Sequence, residues 1–300
     1  MDTTARVRTG AMRRAAAGLI ALPLLLAACG SIGSPPASGS PAPTAGSSAD
    51  PDAIYHRAGP TDVVLRFEEG GGFVPMGFFA TQAPQFTLFG DGTVIFQGPG
   101  PADGYAPGPI VQKVAFLTAH LSEPEIQALL HFALDEGGVA QAGPSYSPGN
   151  IADAPTAIFT IHAGGIDKTV SVEALGIGTW QGPDAPIMAS LGRLGERMRD
   201  YTGHVVGETT WAPDRWRGVL TTDAYNTPVA WPWSAIAPAD FVQRTDPDAP
   251  RFPTRTLSAS DVAALGMGDT GGGFFGLALS GPDGKTYSLA IRPLLPDETQ

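Results

Sequence analysis

The sequence predicts an α+β protein, built of antiparallel hairpin sheets with a few packed helices. Three observations carry this. The apolar runs 85–89 and 93–96 flank Gly90-Asp91-Gly92, an order that reads as a hairpin. A second pair of runs, 157–162 and 168–172, flanks Gly164-Gly165. Between the pairs lies one helix-period stretch, rather than the regular strand–helix–strand alternation of a parallel doubly wound sheet.

In chain order, residues 1–28 read as a lipoprotein signal peptide. Arg6, Arg8, Arg13 and Arg14 give a basic start, and Ala15 to Ala28 is uncharged and almost wholly apolar. The apolar run is shorter than the ~20 residues that span a hydrocarbon core. Cys29, the chain's one cysteine, ends Leu26-Ala27-Ala28-Cys29. That segment resembles the bacterial lipobox, which implies that Cys29 is lipid-modified through its thiol and becomes the mature N-terminus. Its two or three acyl chains anchor stably where one would not, so the membrane, through Cys29, is the first expected partner. The implied location is the extracytoplasmic face of the cell membrane.

Residues 29–52 follow as a linker of Ser, Pro, Gly, Ala and Thr with almost no bulky side chain, a composition that cannot offset the entropy of ordering. Fully extended it reaches about 75–80 Å, and as a flexible coil about 25–30 Å. The formal charge is -11, and without the leader's four Arg and one Asp it is -14. Such a surface repels nucleic acid and anionic headgroups, so no nucleic-acid partner is expected. Lysine is rare, with Lys113, Lys168 and Lys285 against fifteen Arg, while Gly (39) and Pro (29) abound. That bias suits a high-GC coding sequence and carries no function.

The first module is expected over 53–205. Val63, Leu65 and Phe67 share one face of a strand. Ser122-Glu123-Pro124-Glu125 is a capping box with Pro in the first turn, and Ile126, Leu129, Leu130, Ala133 and Leu134 form one apolar stripe ended by Gly137-Gly138. After the second hairpin a helix starts near Asp184, with Ile187, Leu191, Leu194, Met198 and Tyr201 as its apolar set. The second module, 206–300, echoes the first. Leu257 to Leu265 repeats the helix start of Leu121 to Leu129, and each is followed by a hairpin whose second strand opens with Lys-Thr, at 168–169 and 285–286. The two modules are either related by duplication or alike by chance.

Residues 62–176 resemble a class of uncharacterised secreted and lipoprotein domains from high-GC bacteria. The likeness rests on Phe86 to Val94, Leu121 to Glu125 and Asp153 to Thr156. Many members carry cysteines near the first strand, where this chain has Gly70-Gly71-Gly72. The shared motifs are structural and transfer no catalytic residue.

Motif chemistry is sparse. Gly266-Met267-Gly268-Asp269-Thr270-Gly271 matches G-x-G-x-x-G, but a helix precedes it and a strand follows, the reverse of a dinucleotide fingerprint. His56, His120, His131, His162 and His204 show no metal-ligand spacing. Neither metal nor cofactor is expected. No G-x-S-x-G or S-x-x-K occurs, and Ser145 and Ser147 sit in a turn-like Gly-Pro segment. Glu68 and Glu69 are adjacent on a strand and point to opposite faces, while Asp246 and Asp248 lack the EF-hand pattern.

Trp211, Trp216, Trp231 and Trp233 fall within 23 residues. They read either as the core of the second module or as a surface on which sugar rings stack. The expected function is therefore a lipid-anchored, non-catalytic binding or adaptor protein of the cell envelope, with a protein or glycan partner. The alternatives are a glycan-binding module using the tryptophans, or a hydrolase whose site is not contiguous in sequence.

Overall fold

The computed structural model describes residues 52–74, 76–100, 108–149, 151–243, 245 and 252–299. The leader, Cys29, the linker up to residue 51, Asp246 and Asp248 lie outside the described residues. The α+β expectation holds, with two mostly antiparallel sheets and short helices among the described residues.

Strand β1 (Val63–Gly71) is followed by the short helix α1 (Met76–Ala80), then by β2 (Phe86–Phe89) and β3 (Thr93–Gln97). The Asp-Gly hairpin forms as the sequence predicts: Gly92 has φ +91° and Asp91 Oδ1 accepts from the Thr93 amide at 2.9 Å, the local carboxylate–backbone bond of Asx turns. Next come β4 (Val111–Gln112), β5 (Phe116–His120) and α2 (Glu123–His131), whose Ser122–Glu125 capping box is present. Phe132–Glu136 continue the helix as a π-helical turn. The five apolar positions of this stripe are all buried. Then follow β6 (Ser145–Tyr146), the hairpin β7 (Pro155–Ala163) and β8 (Ile166–Glu173), and α3 (Ala185–Arg199).

The second half contains β9 (Thr209–Thr210), β10 (Arg215–Thr221), β11 (Val229–Ala230), β12 (Thr254–Ser258), α4 (Ala259–Ala263), β13 (Phe274–Ser280) and β14 (Thr286–Pro293). Sheet one runs β6-β8-β7-β1-β2-β3-β5-β9; sheet two runs β11-β13-β14-β10-β12, with β4 also on β13. Pairing is antiparallel except for β6 with β8 and β11 with β13. The expected boundary at 205/206 does not separate the sheets. β9 still pairs with β5, and β4, from the first half, pairs with β13.

Strand alternation decides what each face of β1 meets. Leu65 and Phe67 pair across to Leu88 and Phe86 on one side and to Ile161 and Phe159 on the other. These rings and branched chains share a core with α2 and α3, and Tyr201 fills its centre, 4.6 Å from Phe86 and 5.4 Å from Phe96 between ring centroids. Arg66 and Glu68 project to the opposite face. Phe89, Ile95 and Phe116 pack there with Leu295, from the tail after β14.

That tail is tied down by charge. Arg66 donates to Asp297 at 2.6 Å. Arg292, 3% exposed, donates to both oxygens of Glu298 at 2.7 and 2.6 Å, and the Leu295 amide donates to the same carboxylate at 2.8 Å. Burial opposes ionisation of Glu298, but the bonds from Arg292 and the Leu295 amide outweigh it and hold the carboxyl below its usual range. Glu68 goes the other way: burial raises it despite Arg66.

These shifts set opposite pH responses. The folded state gains from ionised Glu298 above the ordinary carboxyl range and loses that gain as pH falls through its lowered value. Raised Glu68 stabilises the fold at low pH and ceases to do so as pH rises through its folded value. Glu298→Ala strands the buried Arg292 guanidinium and should cost about 3–5 kcal/mol, read as a lower urea midpoint at neutral pH.

Candidate functional site

Where the two sheets meet, the chain leaves β4 and places Lys113 over a small cavity. Its backbone is held by sheet two, the Lys113 amide donating to Gly273 O at 2.9 Å. Gly272 lies against the same turn so closely that a Cβ there would stand 2.1 Å from Val114 O and 2.4 Å from Lys113 O. Only glycine allows that approach. The cavity, about 70 Å³, is lined by Phe78, Gln82, Gln97, Lys113 and Phe116, and by Glu69 at the end of β1.

The Lys113 ammonium has an unusual set of neighbours. Its Nζ donates to Thr81 O at 2.5 Å and sits 4.6 Å from the Phe78 ring centroid. Thr81 is held by its hydroxyl, which donates to Gly77 O and Phe78 O. The neighbouring carboxylate is already engaged: Arg199 donates to both Glu69 oxygens, at 2.9 and 2.5 Å. Gln85 clamps the Glu69 backbone, accepting from its amide at 2.6 Å and donating to its carbonyl at 3.0 Å. Burial lowers Lys113 to about 7, with the Arg292 guanidinium adding repulsion. The side chain is thus a partly neutral amine beside a cavity, at neutral pH.

The residues singled out from sequence are scattered. Glu68 and Glu69 do point to opposite faces, toward the tail and toward α3. His56 meets Glu123 at 3.4 Å, His131 meets Asp135 at 3.6 Å and His162 meets Asp167 at 3.0 Å. Among the described residues no histidine ring is hydrogen-bonded to a hydroxyl, and no three His, Cys, Asp or Glu converge as a metal site. Ser147 donates to Glu173, and Ser145 lies in β6. The G-x-G-x-x-G loop is a connector after α4. Gly266 and Gly268 have φ +65° and +69°, and Thr270 O accepts from the Trp216 indole at 3.2 Å.

Of the four tryptophans, Trp216 and Trp233 are core and Trp211 and Trp231 are partly buried against it. Trp216 and Trp233 are 6% and 8% exposed. Trp231 packs against the same core, edge-on to Trp233 at 5.2 Å. The Trp231 indole donates to Ile236 O at 2.7 Å and that of Trp233 to Asp261 O at 2.8 Å. Trp211 stands edge-on to Phe116, 6.1 Å away, in the seam. Trp231-Pro232-Trp233 does turn both rings to one side, but that side is the interior.

A wider groove of about 510 Å³ lies beside the first described residues, lined by Tyr55, Arg57, Asp62, His162, Ile166 and Asp297. The chain enters the body here. Gln127 on α2 grips residue 54 from both sides, accepting from the Ile54 amide at 2.7 Å and donating to its carbonyl at 3.0 Å.

Comparison with family models, with curated proteins and with solved structures finds no match to this chain.

Lys113 binds a proton more readily in the unfolded chain, so stability should rise with pH from about 7 toward the ordinary lysine range, by at most about 1.4 kcal/mol per pH unit. Lys113→Met should flatten that rise in urea titrations at successive pH values. Trp233→Ala should cost about 3–5 kcal/mol, seen as a large drop in thermal midpoint; an unchanged midpoint would mean the ring is not core.

Proposed function

We propose that this protein is a lipid-anchored lipoprotein on the extracytoplasmic face of the cell membrane, acting as a non-catalytic binding or adaptor protein. The observation that carries the reading is Cys29. The chain's one thiol stands where a basic start and an apolar run end in Leu26-Ala27-Ala28-Cys29. The likeness of residues 62–176 to secreted bacterial lipoprotein domains points the same way.

The form of the body suits a tethered binder. The Ser/Pro/Gly-rich linker gives a reach of about 25–30 Å as a coil. The two Gln127 bonds hold Ile54 beside the groove at Tyr55, itself 76% exposed. The surplus of acidic residues favours a partner with basic or neutral character over nucleic acid.

The test is metabolic labelling with a clickable fatty acid. The wild-type protein should incorporate label and partition into the detergent phase. Cys29→Ser should stay unprocessed, keep its leader and lose the label. Full labelling of Cys29→Ser would contradict the anchor.

A further inference from the structure

We propose that the cavity at Lys113 is a binding site for a small aldehyde or ketone, held reversibly as an imine on the lysine nitrogen. This goes beyond the tethered-adaptor reading and is independent of the anchor.

Four features of the site combine. The cavity, about 70 Å³, has room for a ligand of a few heavy atoms beside Nζ. An ammonium carries three N–H donors, and Thr81 O is the acceptor that Lys113 meets among the described residues. The polar side chains of Gln82 and Gln97 line the same space, and amides of this kind orient a ligand's oxygen. Burial near the Arg292 guanidinium leaves part of the amine neutral at neutral pH, the form that attacks a carbonyl.

The bond changes balance without another reactant. The neutral Nζ lone pair attacks the carbonyl carbon, giving a carbinolamine. Loss of water then leaves C=N, the two amine hydrogens departing with the former carbonyl oxygen. No oxidant or reductant is needed, and hydrolysis reverses the step.

The surroundings select the electrophile. A carbonyl compound gives a neutral imine, which suits a buried nitrogen whose positive form is disfavoured by burial and by the Arg292 guanidinium. The other lysines lack this setting. Lys168 donates to Val139 O and Ala140 O at 3.1 and 3.0 Å, and the Lys285 side chain is 70% exposed beside Asp283.

The full-length protein in detergent, treated with propionaldehyde and cyanoborohydride at pH 7 and mapped by mass spectrometry, tests this. The three lysines serve as mutual controls. Lys113 should be alkylated at least about tenfold faster than Lys168 or Lys285. Its rate should saturate with aldehyde concentration and level off above about pH 8, while theirs stay linear in aldehyde and keep rising with pH. Lys113→Arg should remove only the fast site. Equal rates at the three lysines, labelling of Lys113 only after unfolding in urea, or a rate that never saturates would each overturn the proposal.

Discussion

The buried pairing of Arg292 with Glu298 is the constraint on which the rest of the described body depends. It pins the tail after β14, and the pinned tail brings Leu295 onto Phe89, Ile95 and Phe116 on the far face of sheet one. Without that anchor the second face of β1, β2 and β3 would present apolar surface and the Arg66 guanidinium to water. A buried ion pair is a poor source of stability in itself, but removing one partner is costly. Its value here is positional. It fixes where the tail after β14 runs, and with it Leu295 against Phe89, Ile95 and Phe116.

The Lys113 cavity is a product of the same seam. β4 belongs by sequence to the first half and by pairing to the second sheet. The chain then crosses to β5 in sheet one, and the crossing carries Lys113 between the sheets, where Gly272 lets the two backbones close up. Arg292 thus has two effects: its charge neutralises Glu298, and its proximity helps push the proton off Lys113. The first described residues are held elsewhere, at Ile54 by Gln127 of α2.

Much of this was legible locally. The Gly90-Asp91-Gly92 hairpin, the Ser122 capping box, the apolar stripe of α2 and the opposite facing of Glu68 and Glu69 follow from short-range rules that the fold obeys. The apolar set of α3 is nearly as expected: Leu191, Leu194, Met198 and Tyr201 are buried, Met188 joins them, and Ile187 is only partly buried. What escaped was long-range. Two-residue strands such as β4, β6, β9 and β11 have no period to detect, and the parallel pairings of β6 and β11 depend on partners far away in sequence. The site escaped for the same reason. Val111-Gln112-Lys113-Val114 reads as an ordinary edge with lysine to solvent, and the one available signal was how rarely this chain uses lysine. Of the tryptophans conspicuous in sequence, Trp216, Trp231 and Trp233 pack in one cluster and Trp211 in the seam.

Pinned in this way, the tail should make the two sheets one cooperative unit. Native-state hydrogen exchange measures this directly. The slowest amides of β1 and β7 in sheet one and of β10 and β14 in sheet two should open with a common free energy and fall together as urea is added. Opening of sheet two at a clearly lower free energy, with sheet one still protected, would show that the tail does not couple them.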